Sequence, residues 1–150
     1  PANRARIKPE ALWEYDQGQE LTGMQTVRAA AERTAFHARM LALFERYDVL
    51  ALPSAQVWPF PAEWRWPQSI AGRPMDTYHR WMEVVIYATL AGLPCIAMPV
   101  GFGTGNGLPM GVQLIGRPHG DLAVLQLARA FERIGVGPSK SLEPGGACPA

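Results

Sequence analysis

The residues able to attack a carbonyl are few in this sequence. Its serines are Ser54, Ser69, Ser139 and Ser141, and its lysines are Lys8 and Lys140. A serine nucleophile needs a base within hydrogen-bond reach and donors for the oxyanion that forms. None of the four serines lies in a glycine-rich loop or at a strand-to-helix elbow. Ser54 follows a predicted strand but has no candidate base nearby, and both lysines lie close to the chain ends. All four serines are read as structural, and no catalytic residue is assigned. His37, His79 and His119 have no second His or Cys at ligand spacing, so no metal site is expected. The turn Gly101-Phe102-Gly103-Thr104-Gly105-Asn106-Gly107 invites a nucleotide reading but fails on position. A G-x-G-x-x-G pattern from Gly101 meets Asn106, and one from Gly103 meets Leu108. The next element is a strand rather than a helix whose N-terminus could hold a pyrophosphate, so no cofactor is expected.

The elements around these residues are legible from periodicity and punctuation. Pro9 opens a short helix to about Asp16. From Leu21 to Tyr47 the pattern is helical. Met24, Val27, Ala31, Ala35, Ala38 and Ala42 form an apolar stripe, widened by Leu41 and Phe44. Asp48 to Pro53 reads as a strand whose apolar run, without alternation, predicts cover on both faces. Val57 to Met75 interleaves Trp58, Phe60, Trp64 and Trp66 with Pro59, Pro61, Pro67 and Pro74, which predicts an extended loop. Such a loop either packs on the body or lines a site. A helix is expected from Tyr78 to Leu90, capped by Asp76 or Thr77 and closed by Gly92, with Tyr78, Trp81 and Met82 on its apolar face. Cys95–Val100 and Met110–Ile115 read as strands that can form a hairpin across the glycine turn. A last helix is expected from Asp121 to Ile134, and residues 136–150 read as a Gly/Pro-rich tail. The order of helices and strands is that of an α/β protein with a mixed β-sheet flanked by helices.

Composition narrows the partners. The 150 residues carry a formal net charge of +1, with Lys and Arg scattered, which argues against nucleic acid. The longest apolar stretch, Tyr87 to Val100, is broken by Gly92, Pro94 and Pro99, so no membrane span is expected. No leader pattern opens the chain, and the lack of an initiator Met points to a missing natural N-terminus. Two cysteines, Cys95 and Cys148, make no disulfide framework and fit a reducing, cytoplasmic setting.

Three blocks carry a resemblance. They are Phe44-Glu45-Arg46-Tyr47-Asp48-Val49-Leu50-Ala51-Leu52-Pro53-Ser54, the run Leu90–Phe102 with its Ala-Gly-Leu-Pro-Cys-Ile-Ala-Met-Pro core, and Gly107–Pro118 followed by Asp121 and a helix. In order and spacing they resemble the C-terminal core of amidase-signature hydrolases, over roughly residues 20 to 135, with Ser54 where the family has Thr. The resemblance implies that residues 1–135 are the C-terminal portion of a larger fold that hydrolyses amides. It also implies a Ser nucleophile, a bridging Ser and a neutral Lys base in a Gly/Ser-rich segment and before it, a segment absent from this sequence. The N-terminal catalytic part of the same protein is then the expected partner, and a small amide the substrate. The C-terminal part of such enzymes helps wall the substrate pocket. Here that role is expected of Trp58, Phe60, Tyr78, Trp81 and Met82, an apolar wall suited to an aryl or alkyl amide. Core packing is the competing reading of these five, above all of Met82. The other reading of the whole is a non-catalytic module that forms a homo-oligomer or binds a partner through an unpaired sheet edge and the Ala-rich helix.

Overall fold

The computed structural model describes residues 3–103 and 107–135. The predicted tail, with Ser139, Lys140, Ser141 and Cys148, lies outside the described residues.

Helix α1 runs Pro9–Glu20, one turn longer than predicted, with Pro9 in its first turn, where a missing N–H costs nothing. Helix α2, Gly23–Leu43, begins at a capping box that the periodicity did not reveal. The Thr22 hydroxyl accepts from the Gln25 N–H, and the Gln25 side chain accepts from the Thr22 N–H. The face of α2 that packs is not the predicted stripe. Phe36, Met40 and Phe44 meet the core, while Met24 and Val27 stay 76% and 65% exposed and Ala31, Ala35, Ala38 and Ala42 are exposed with them. At about 100° per residue the two sets lie on opposite sides of the helix. Periodicity identifies an apolar face but cannot say which of two is covered.

Strand β1, Leu50–Pro53, is likewise covered on one side only: Leu50 and Leu52 pack on the core, and Ala51 and Pro53 are exposed. This corrects the expectation of a strand covered on both faces. The aromatic stretch is extended except for a two-residue ladder, β2 (Ser69–Ile70) with β3 (Arg73–Pro74), turned by Ala71 and Gly72 at positive φ. The helix expected over Tyr78–Leu90 is broken into α3 (Tyr78–Trp81), a 3₁₀ turn (Glu83–Val85) and α4 (Ile86–Ala91). Thr77 precedes α3 without a side-chain cap, and Asp76 pairs with Arg80 instead. Gly92 ends α4 in the left-handed region (φ 65°, ψ 41°) as expected.

Strands β4 (Cys95–Phe102) and β5 (Pro109–Ile115) form the expected antiparallel pair, with an irregularity between Pro99 and Gly101. β5 also pairs with β1, antiparallel, giving the order β1-β5-β4. Ile115 on one face meets Met40, Phe44, Ala88, Ala91 and Leu93. Leu114 on the other meets Met98 and Ala128 of α5 (Asp121–Arg133), whose N-cap is Gly120 rather than Asp121. Helices thus flank the sheet on both faces, the α/β arrangement expected. Among the described residues, β1 and β4 form the two edges of this sheet.

Candidate functional site

The candidate site forms where β1 ends and β5 begins. The Ser54 N–H donates to the Gly111 carbonyl (3.0 Å), extending the ladder one step beyond Pro53. At that crossing the strands leave no room for a side chain. A Cβ on Gly111 would lie 2.7 Å from Ser54 Oγ and 2.9 Å from the Met98 carbonyl oxygen. The space in front of this floor is a depression of about 440 Å³. Trp58 and Phe60 come to it from the proline-rich loop, Trp81 from α3, and Met98, Pro99 and Met110 from the hairpin. Its lining is almost wholly apolar, and Ser54 offers its hydroxyl. Among the described residues no base hydrogen-bonds to that hydroxyl, in line with the structural reading of Ser54.

Of the five residues singled out by sequence, three therefore converge: Trp58, Phe60 and Trp81. The rings of Phe60 and Trp81 meet edge to face, 5.6 Å apart at 88°. Tyr78 packs against Trp81 (6.0 Å, 77°) but opens on a second, smaller depression of about 230 Å³, with Trp13 and Trp66. Met82 is half-buried at the end of α3 and lines neither depression.

Two glutamines that the sequence pattern did not single out hold this wall in place. Gln113, buried at the centre of β5, donates from Nε2 to the carbonyls of Pro53 and Val84, both at 2.9 Å. Gln56 accepts the Val84 N–H (2.9 Å) and donates to the Arg80 carbonyl (3.3 Å). Val84 thus has both backbone groups taken by side chains, which is why no continuous helix passes through it. Each such bond is worth about 1 kcal/mol net, and leaving a buried partner unpaired costs more. Together they set Trp81 over the depression. The readable signal was one amide inside the otherwise apolar run Met110–Ile115. Cys95 Sγ donates weakly to Gln113 Oε1 (3.6 Å), and burial pushes its thiol pKa up, which keeps it protonated and unreactive.

Near the smaller depression, Glu10 pairs with Arg65 and Asp76 with Arg80. A hydrogen bond from its own backbone N–H, and then the Arg65 charge, hold Glu10 below its ordinary range; the Arg80 guanidinium does the same for Asp76. Among the described residues no three His, Cys, Asp or Glu side chains gather as a metal site, and no helix is long and apolar enough to cross a membrane.

The family model for Amidase matches residues 5–125. The chain belongs to the amidase family. Its curated relatives include a glutamyl-tRNA(Gln) amidotransferase of Dehalococcoides mccartyi, 34% identical over 71% of this chain and 20% of the relative. They include a fatty acid amide hydrolase of Medicago truncatula, 33% identical over 77% of this chain and 19% of the relative. Among solved structures, a bacterial aryl acylamidase of the amidase-signature enzymes superposes with a TM-score of 0.77 at 27% identity, covering 87% of this chain and 27% of that one. This amidase chain spans about a fifth of the length of the curated relatives it matches.

Proposed function

We propose that the chain is the C-terminal part of an amidase that hydrolyses a carboxylic amide by a Ser-Ser-Lys mechanism whose catalytic residues lie outside it. Its contribution to that reaction is a wall of the substrate pocket. The observation that carries the reading is the 440 Å³ depression at the strand ends, with Trp58, Phe60 and Trp81 brought from two separate segments onto a floor that only glycine at 111 leaves open. Its size falls within the range of small-ligand pockets. A lining of indole, phenyl, thioether and proline groups favours an aryl or alkyl substituent on the amide and offers a charged aminoacyl group no counter-ion. A neutral lysine and a serine nucleophile supplied by the rest of the fold would act on the amide, while this wall orients it.

The test compares the isolated chain with the full-length parent on aryl, alkyl and charged amides. The isolated chain is expected to turn over none of them. In the parent, Trp58→Ala and Trp81→Ala are expected to raise KM for aryl amides about tenfold or more, the worth of one lost aromatic contact with its buried area. Turnover by the isolated chain would refute the placement of the catalytic residues elsewhere. Unchanged aryl-amide kinetics in both variants would refute the pocket wall.

A second reading rests on the open face of α2 and the bare β4 edge: a non-catalytic module that associates with itself. Apolar helix on both sides is the pattern of an element buried in a larger body. We infer that the N-terminal catalytic part of the parent covers this face. Sedimentation of the 16.4 kDa chain, alone and mixed with the remaining part of the parent, separates the two. A stable homodimer indifferent to the added part supports the module; a mixed complex that displaces self-association supports the amidase.

A further inference from the structure

The smaller depression lies apart from the proposed amide site and has a chemistry of its own. Three segments meet there. Trp13 comes from α1, Trp66 from the proline-rich loop and Tyr78 from the start of α3. The rings of Trp66 and Tyr78 meet edge to face at 5.8 Å. Two carboxylates, Glu10 and Asp76, and one guanidinium, Arg65, complete the charged part of the lining, which leaves an excess of one negative charge. Hydrogen bonds and neighbouring guanidinium groups keep both carboxylates ionised.

The faces of aromatic rings attract cations, and most strongly where water is excluded. The protein already uses this wall in that way: the Arg65 guanidinium lies 5.6 Å over the Trp66 ring, with Glu10 as its counter-ion. We propose that this depression binds a small quaternary alkylammonium group. A substituted cation suits it better than a primary one. A primary ammonium brings three N–H donors that must all be satisfied. Here the carboxylates that could accept them are already engaged by Arg65 and Arg80. A trimethylammonium group brings none and presents only methyl groups carrying partial positive charge. The volume, about 230 Å³, suits a headgroup rather than a drug-sized ligand.

Choline and its uncharged carbon counterpart, 3,3-dimethylbutan-1-ol, test the inference on the isolated chain, read by tryptophan fluorescence and by calorimetry. Choline should bind saturably in the millimolar range, about tenfold or more tighter than the neutral alcohol. Trp13→Ala should abolish the difference. Trp13 is 48% exposed on a helix with no buried residue, so the variant keeps its fold. Trp58→Ala, in the other depression, should change nothing, which separates this site from the proposed amide site. Equal binding of choline and the alcohol would overturn the inference. So would the absence of saturable choline binding, preference for benzoate through Arg65, or sensitivity to Trp58→Ala instead of Trp13→Ala.

Discussion

The sheet with α2, α4 and α5 places Met40, Phe44, Leu93, Leu114, Ile115, Val124 and Ala128 out of water. Helix α1 and the aromatic loop beside it are put together otherwise. No residue of α1 is buried, and it meets its neighbours through the Glu10–Arg65 and Glu14–His79 pairs and the ring of Trp13. The body rests on apolar burial, worth about 1.5–3 kcal/mol for each large side chain. The shell rests on exposed pairs worth about 0–1 kcal/mol each and on ring contacts of similar size. The difference teaches where each property resides. The body fixes geometry, down to the floor at Gly111. The shell supplies the second depression and can rearrange at little cost, a suitable place for a wall that must fit a ligand.

Three experiments sharpen or break this comparison. The largest effect is expected of Ile115→Ala. Ile115 is fully buried on the central strand, and the cavity left should lower unfolding free energy by about 2–5 kcal/mol, read by urea denaturation. Trp13→Ala in the same assay should stay within about 1 kcal/mol. Equal losses would mean that α1 belongs to the body. Gly111→Ala comes next. Its Cβ must push Ser54 and the Met98 carbonyl apart, at about 1–3 kcal/mol, and should narrow the larger depression while leaving the smaller one unchanged. The smallest effects belong to the charged pairs. Glu14→Gln should cost under about 1 kcal/mol, seen as faster amide exchange confined to α1.

Acid should act on the same contacts. Glu10 and Asp76 have folded-state pKa values below their ordinary 4.5 and 3.8. Their contribution is therefore fully present above those values and lost as pH falls through the lower folded-state values. Exchange in α1 should accelerate over that window before the sheet responds. Simultaneous melting of α1 and the sheet would show a single cooperative unit.

Much of the frame was legible. Pro9 opening α1, Gly92 closing α4 and the antiparallel β4–β5 pair each follow from a local rule: a locked φ, an open left-handed region, and apolar runs set apart by a glycine turn. The blocks from Phe44 to Ser54, Leu90 to Phe102 and Gly107 to Pro118 carried the family resemblance. The match over residues 5–125 bears it out. For the candidate site, composition picked out the aromatic residues, and the structure gathers three of the five in one depression and turns Tyr78 to another.

What only the tertiary structure decided is pairing over long sequence distance. Gln113 reaches Pro53 and Val84, and with Gln56 it breaks a helix that its own residues would have continued. Gly111 is required by Ser54, 57 positions earlier by numbering, and not by its own turn. The covered side of α2 was chosen by Ile115 and Leu93 rather than by the longer Ala-rich stripe. Periodicity and propensity are properties of neighbours along the chain, and they determined the elements. Which face is covered, which amide is satisfied and where a side chain will not fit depend on residues brought together across the fold, where burial and close packing outweigh local preference.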